Sequence, residues 1–165
     1  MNKDIVDQLL QEWAQEHPKM NVASLGVVVR IQRLAKLLQQ HTTVALRKHN
    51  LKHWEYDVLS VLRRQGDPFE MTATDIADSA LLTSGAMTTR IDGLEKRGLV
   101  RRRRNKSDRR SVLVRLTRKG TKVVDAAINS RLDDANEALA GLPSKDRRKL
   151  ADALRELLLT VEGDR

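Results

Sequence analysis

Between Leu99 and Leu116 the apolar pattern of the chain changes period. Elsewhere apolar residues recur at helical spacing, whereas Val112, Val114 and Leu116 alternate, the signature of a half-buried strand. Leu99 to Arg104 and Ser111 to Leu116 therefore read as two strands around a 105–110 loop. A hairpin set inside an otherwise helical chain leaves few architectures open, and the segments that flank it decide among them.

Upstream, Asp4 to Gln15 carries Ile5, Val6, Leu9, Leu10 and Trp13 on one stripe and ends before Pro18. Val22 to His49 is a long helix with Leu25, Val28, Val29, Leu34, Leu37 and Leu38. His53 to Gln65 follows with Trp54, Val58, Val61 and Leu62 on one face, broken by Gly66-Asp67-Pro68. Thr74 to Ala80 is a short helix stopped near Leu81-Leu82. Thr83 then caps a second short helix, Ser84 to Arg97, closed by Gly98. Two short helices joined by a tight turn and followed by a hairpin make a winged helix-turn-helix. Thr117 to Leu139 and Ser144 to Val161 finish the chain as helices. The expected fold is thus mainly α with a small β-hairpin, and the 165 residues form one domain. In it, 52–116 is the winged-helix part, flanked by the helical regions 1–49 and 117–165. Leu150, Leu154, Leu157, Leu158 and Val161 form a stripe too apolar to leave in water, which predicts an obligate dimer.

The charge sits on the same segment as the hairpin. From Arg90 to Lys119 there are thirteen Lys/Arg against Asp92, Glu95 and Asp108, a net +10. The whole chain is +9, so the remainder sums to −1. One localised cationic patch is the electrostatic footprint of a nucleic-acid binder. Trp13, Trp54, Tyr56 and Phe69 are the only aromatic residues, too few for recognition of single strands by base stacking. Double-stranded DNA is the expected partner.

Other functions lack their residues. The absence of cysteine removes disulfides, thiolate metal sites and thiol nucleophiles. No nucleophile elbow, phosphate-binding loop or glycine fingerprint occurs, so neither an enzyme nor a cofactor is expected. With no 18-residue apolar run and no signal-peptide core in 1–15, a soluble cytoplasmic protein without membrane contact is expected. His49 and His53 stand four apart, but the Asn50-Leu51 break and the lack of a carboxylate pattern favour solvated histidines over a metal site.

On the recognition helix, Met87, Ile91 and Leu94 form the inward stripe, and Arg90 lies among them instead of facing DNA. A buried arginine needs a partner or an anion. Asp57 lies at the edge of the Trp54/Val58/Val61 stripe. The two form either a structural ion pair or the converging polar groups of a ligand pocket. Ser84, Gly85, Thr88 and Thr89 are small groups on the exposed face, suited to base edges and phosphates. Because none is a long bidentate base reader, specificity rests partly on shape and on the wing. There, Arg101 and Arg103 point outward toward phosphate with Lys106 and Arg109, while Arg102 shares the inward side of Val100. Arg110 at the tip suits the narrow, strongly negative minor groove, and Asp108 orients a neighbouring arginine.

The order of elements, with Leu94-Glu95-Lys96-Arg97-Gly98-Leu99-Val100 followed by Asp108-Arg109-Arg110, resembles the MarR family of bacterial transcriptional regulators over nearly the whole chain. The resemblance implies a homodimer with interlocked first and last helices, whose two winged helices read a palindromic operator. A narrower likeness is to the PecS-like, urate-responsive branch. It is carried by Trp13-Ala14-Gln15-Glu16-His17-Pro18, Trp54-Glu55-Tyr56-Asp57-Val58-Leu59, Leu62-Arg63-Arg64 and Gly85-Ala86-Met87-Thr88-Thr89-Arg90-Ile91-Asp92. In that branch a helix precedes the usual core, as Asp4–Gln15 does here. The branch implies a ligand-binding set of Trp13, Asp57, Arg90 and one arginine of 101–104, with Arg102 the choice. Spacing alone makes Trp13 core. A repressor released by urate, a related purine or another small aromatic anion is the expectation. The competing one is a winged-helix architectural or RNA-binding protein with no effector, marked by salt-steep but sequence-indifferent binding.

Overall fold

A computed structural model describes residues 3–80, 87–105 and 111–163, arranged as two compact units, 1–44 and 45–165.

In the first unit, α1 (Ile5–Glu16) begins at Asp4, whose carboxylate accepts from the N–H groups of Val6 and Asp7 at 2.8 and 2.9 Å. Asp7 reciprocates by accepting from the Asp4 N–H at 2.9 Å, so both helix-start donors are satisfied. Arg30, on α2 (Ala23–Arg47), donates to Asp4 Oδ2 at 2.8 Å and Asp7 Oδ1 at 2.7 Å. That guanidinium and the capping N–H groups hold the Asp4 carboxyl down at about 2. At Gly26 the helices approach closely, since a Cβ there would lie 2.8 Å from Leu10 Cδ1.

The second unit takes in the last residues of α2 and then α3 (His53–Arg64), β1 (Glu70–Thr72), α4 (Ala73–Ser79) and α5 (Met87–Lys96). It continues with β2 (Val100–Arg104), β3 (Val112–Leu116), α6 (Arg118–Ala138) and α7 (Ser144–Gly163). Val58, Leu59 and Leu62 of α3, Ile76 of α4, and Met87, Ile91 and Leu94 of α5 meet Val100, Val114, Leu116 and Val124 in one buried cluster. Hydroxyl caps set the helix starts: Thr72 accepts from Asp75 N–H at 3.1 Å, and Thr117 from Gly120 N–H at 3.0 Å. Gly98, at φ +68°, ends α5 in the left-handed conformation that favours glycine, as its position in the sequence predicts. Gly120 is required for another reason. A Cβ there would lie 2.0 Å from the Leu99 carbonyl oxygen, so α6 can cross the start of β2 only with hydrogen at this position.

The expected hairpin of β2 and β3 is present, and it gains a third strand. The sheet has three antiparallel strands in the order β1-β3-β2, with Met71 opposite Val114 and Val100 opposite Leu116. β1 is only three residues long and runs directly into the Thr72 cap of α4, so no alternation develops that a sequence pattern could reveal. Alternation does hold in β2 and β3. Val100, Val114 and Leu116 are buried, Arg102 is half-buried on their side, and Arg101 and Arg103 are exposed. Val112 is 46% exposed, because the inward stripe ends before the outer part of the hairpin. No helix among the described residues is long and apolar enough to cross a membrane.

Candidate functional site

α5 occupies the position of a recognition helix, its inward residues Met87, Ile91 and Leu94 buried, with Thr88 and Thr89 exposed on the opposite side. Of the residues expected to touch DNA, Thr88, Thr89, Arg101 and Arg103 lie at the surface. Arg103 is loosely tethered to Glu70 Oε2 at 3.4 Å, whereas Arg101 has no polar partner among the described residues. The Thr83 cap, Ser84, Gly85, Lys106, Asp108, Arg109 and Arg110 lie outside the described residues.

Three connections fix α5 within the unit. At its C-terminal end Arg97 donates to Glu55 Oε1 at 2.6 Å and to the Asn50 carbonyl at 2.6 Å. Glu55 is buried, and its other oxygen accepts from the Lys52 N–H at 2.8 Å. On the wing side, Arg102 bridges two carboxylates of α5, Asp92 Oδ1 at 2.6 Å and Glu95 Oε2 at 2.5 Å. Glu95 also accepts from the Arg102 N–H at 2.9 Å, and these bonds hold its carboxyl below the usual range.

The third connection is Arg90. Its guanidinium lies over the Trp54 ring at 5.7 Å, and its buried Nη1 has no hydrogen-bond partner. Asp57 is half-buried nearby on α3, where loss of solvent raises its carboxyl above the usual range against the pull of His53, Arg90 and Arg131. No ion pair joins Asp57 to Arg90, which corrects the simple structural-pair reading. His53 and Asp57 stand four apart on one face of α3, and His53 Nε2 is likewise buried without a partner. Solvation was expected for both His49 and His53. Instead His49 Nε2 is hydrogen-bonded to Ser130 Oγ at 2.8 Å, because α3 packs on α6 and covers this segment.

Asp57, Arg90, Trp54 and His53 thus converge on one polar spot with two unsatisfied nitrogens. Arg102 does not join them, its guanidinium being committed to Asp92 and Glu95. Trp13 belongs to the first unit, 40% exposed, with its ring 5.6 Å from that of His17. Arg131 was absent from the residues singled out in the sequence, and His53 was weighed there only as a metal ligand or a solvated side chain, not as a neighbour of Asp57. The i, i+4 spacing of His53 and Asp57 is a signal for His53; for Arg131, seventy-four residues beyond Asp57, there is none. No cluster of three or more metal-ligating side chains occurs among the described residues.

A family model described as "MarR family" matches residues 51–112, the segment from α3 through the start of β3. The regulator HosA of Escherichia coli O111:H- is 30% identical over 72% of this chain and 85% of its own length. The HTH-type transcriptional regulator PecS of Dickeya dadantii is 27% identical over 95% of this chain and 92% of its own. Among solved structures, Sco3205, a MarR family regulator from Streptomyces coelicolor in complex with DNA, superposes with a TM-score of 0.75 at 23% identity, covering 86% and 89% of the two chains. The chain belongs to the MarR family of transcriptional regulators.

Proposed function

We propose that the protein is a homodimeric, cytoplasmic repressor that binds a palindromic operator and is released by a small aromatic anion such as urate or a related purine. The observation that carries this reading is Arg90. It sits on the recognition helix, yet its buried nitrogen lacks an acceptor beside the half-buried carboxyl of Asp57. An anion seated there would pair with Arg90 and repel Asp57, shifting the helix that presents 84–89 to DNA. The residues carrying the response are Asp57 and Arg90; Trp13 and Arg102 enter by resemblance alone, and the bonds of Arg102 to α5 favour a positioning role.

For DNA we assign Thr88 and Thr89 to the major groove, with Ser84 and Gly85 ahead of them. Arg101, Arg103, Lys106 and Arg109 serve the phosphates, and Arg110 the minor groove. Dimerisation is assigned to 1–49 and 117–165. No residue of α7 is buried, and Leu150, Leu154, Leu157, Leu158 and Val161 are all exposed, a stripe that a second copy would cover. A stable monomer in sedimentation at micromolar concentration would refute the dimer.

The effector is tested on a duplex selected by the protein from random sequence. Titrating urate into the complex should weaken it by roughly 5–150-fold, the usual range of allosteric coupling. Asp57→Asn and Arg90→Gln should keep DNA binding and blunt the release. Neither release nor thermal shift across purines and aromatic acids would refute the effector.

A further inference from the structure

The sheet has a second surface, of which the expected functions use only Arg101. β2 and β3 set Arg101 opposite Arg115 on the face turned away from the core. The start of α6 adds Arg118 and Lys122, four apart and so on one side of the helix. These cations line a cavity of about 620 Å³, floored by Phe69 and Leu116, with Asp67 its only carboxylate. The volume lies in the range of small-molecule sites. Arg118, Lys122 and Arg101 have no polar partner among the described residues, and Arg115 reaches only Glu70, at 3.9 Å.

Such crowding is unfavourable without a counter-charge. The first turn of α6 carries no acid, yet the helix dipole makes that end attractive to anions and repulsive to the cations placed there. An anion entering the cavity relieves both repulsions at once. The apolar floor adds a surface for an organic body, so the chemistry differs from that of a bare inorganic ion.

We propose that this cavity binds a small organic phosphate carrying two or three negative charges, of nucleotide size. Asp57, Arg90 and all of α5 are absent from its walls, so the site is independent of the effector reading. Because Arg101 and Arg115 belong to the wing strands and Arg118 and Lys122 to α6, the ligand would brace the base of the wing against that helix.

The test is calorimetry on the full-length protein with ADP and with pyrophosphate. ADP should bind with a dissociation constant below 1 mM, several-fold tighter than pyrophosphate, by reason of the apolar floor. Arg118→Gln/Lys122→Gln should weaken ADP at least tenfold without lowering the melting temperature of the free protein, and Asp57→Asn should leave ADP affinity unchanged. Three results would overturn the proposal: no binding of ADP at millimolar concentration, equal affinity of the double variant, or equal affinity for pyrophosphate. A fourth is loss of DNA affinity in the double variant, with a shallower salt slope and no ADP binding, which would make the surface a contact for the DNA backbone.

Discussion

The anchoring of α5 by Arg97 and Glu55 has a cost that differs for the two partners. The Glu55 side chain is 6% exposed and that of Arg97 33%. Replacing Arg97 by Ala leaves a buried carboxylate whose remaining donor is the Lys52 N–H, and removes the bond to the Asn50 carbonyl. Breaking a buried pair costs about 3–5 kcal/mol, and the partial exposure of Arg97 lowers this to about 2–3 kcal/mol. Replacing Glu55 by Ala is cheaper, about 1–2 kcal/mol, because Arg97 can turn into water. At this chain length about 1 kcal/mol corresponds to ~2–4 °C, so Arg97→Ala should melt about 4–12 °C below the parent. Thermal and urea denaturation of the two single variants and the double variant closes a mutant cycle. The double should cost less than the sum by about 1 kcal/mol or more. Glu55→Gln in the Arg97→Ala background should restore part of the loss, since it removes the stranded charge. Additive single effects, or a larger loss for Glu55→Ala than for Arg97→Ala, would refute this account of the buried carboxylate.

Gly120→Ala should destabilise by about 3 kcal/mol or more, because the clash is with the Leu99 backbone and not with a movable side chain; a melting temperature equal to the parent would contradict it. Arg110→Ala should weaken DNA binding with the circular dichroism spectrum unchanged, and flatten the salt dependence by about one unit if one phosphate contact is lost. Asp57→Asn should raise the melting temperature at neutral pH. The folded state holds the Asp57 proton more tightly than the unfolded chain, so this carboxyl costs stability as pH rises from its usual 3.8 through its raised folded value. The advantage of Asn should therefore vanish below pH 3.8, and an ion pair at Asp57 would give the opposite sign.

The helices were legible because their signals are local. The Gly66-Asp67-Pro68 break and the Gly98 end each fall within a few residues of the element they bound. The hairpin was legible from its period. What the sequence could not show is which charges meet across elements. The phase of β2 correctly turned Arg102 to the side of Val100, but its partners, Asp92 and Glu95, are chosen by the packing of α5 against that strand. Glu55 and Arg97 are 42 residues apart, and no spacing rule connects them. β1 was lost for the opposite reason, being too short to carry any pattern of its own.

Of the three charged connections that hold α5, those of Arg97 and Arg102 are saturated: each guanidinium has carboxylate partners within 2.6 Å. A ligand competing there would have to displace bonds at least as good as those it offers. Arg90 differs. Its buried Nη1 has no acceptor, and the nearby Asp57 carboxyl is disfavoured as an ion by its own burial. A ligand shifts an equilibrium only by the difference between its interactions with the two states. That difference is greatest where one state leaves a charge uncompensated, so an anion gains most at Arg90. The same residue rides on α5, whose exposed Thr88 and Thr89 we assign to DNA, and the other two anchors keep the remainder of that helix in place. Under the proposed function, a response confined to the middle of α5 would tilt the reading face without unfolding the unit. Release with the melting transition retained is therefore the outcome expected under that proposal.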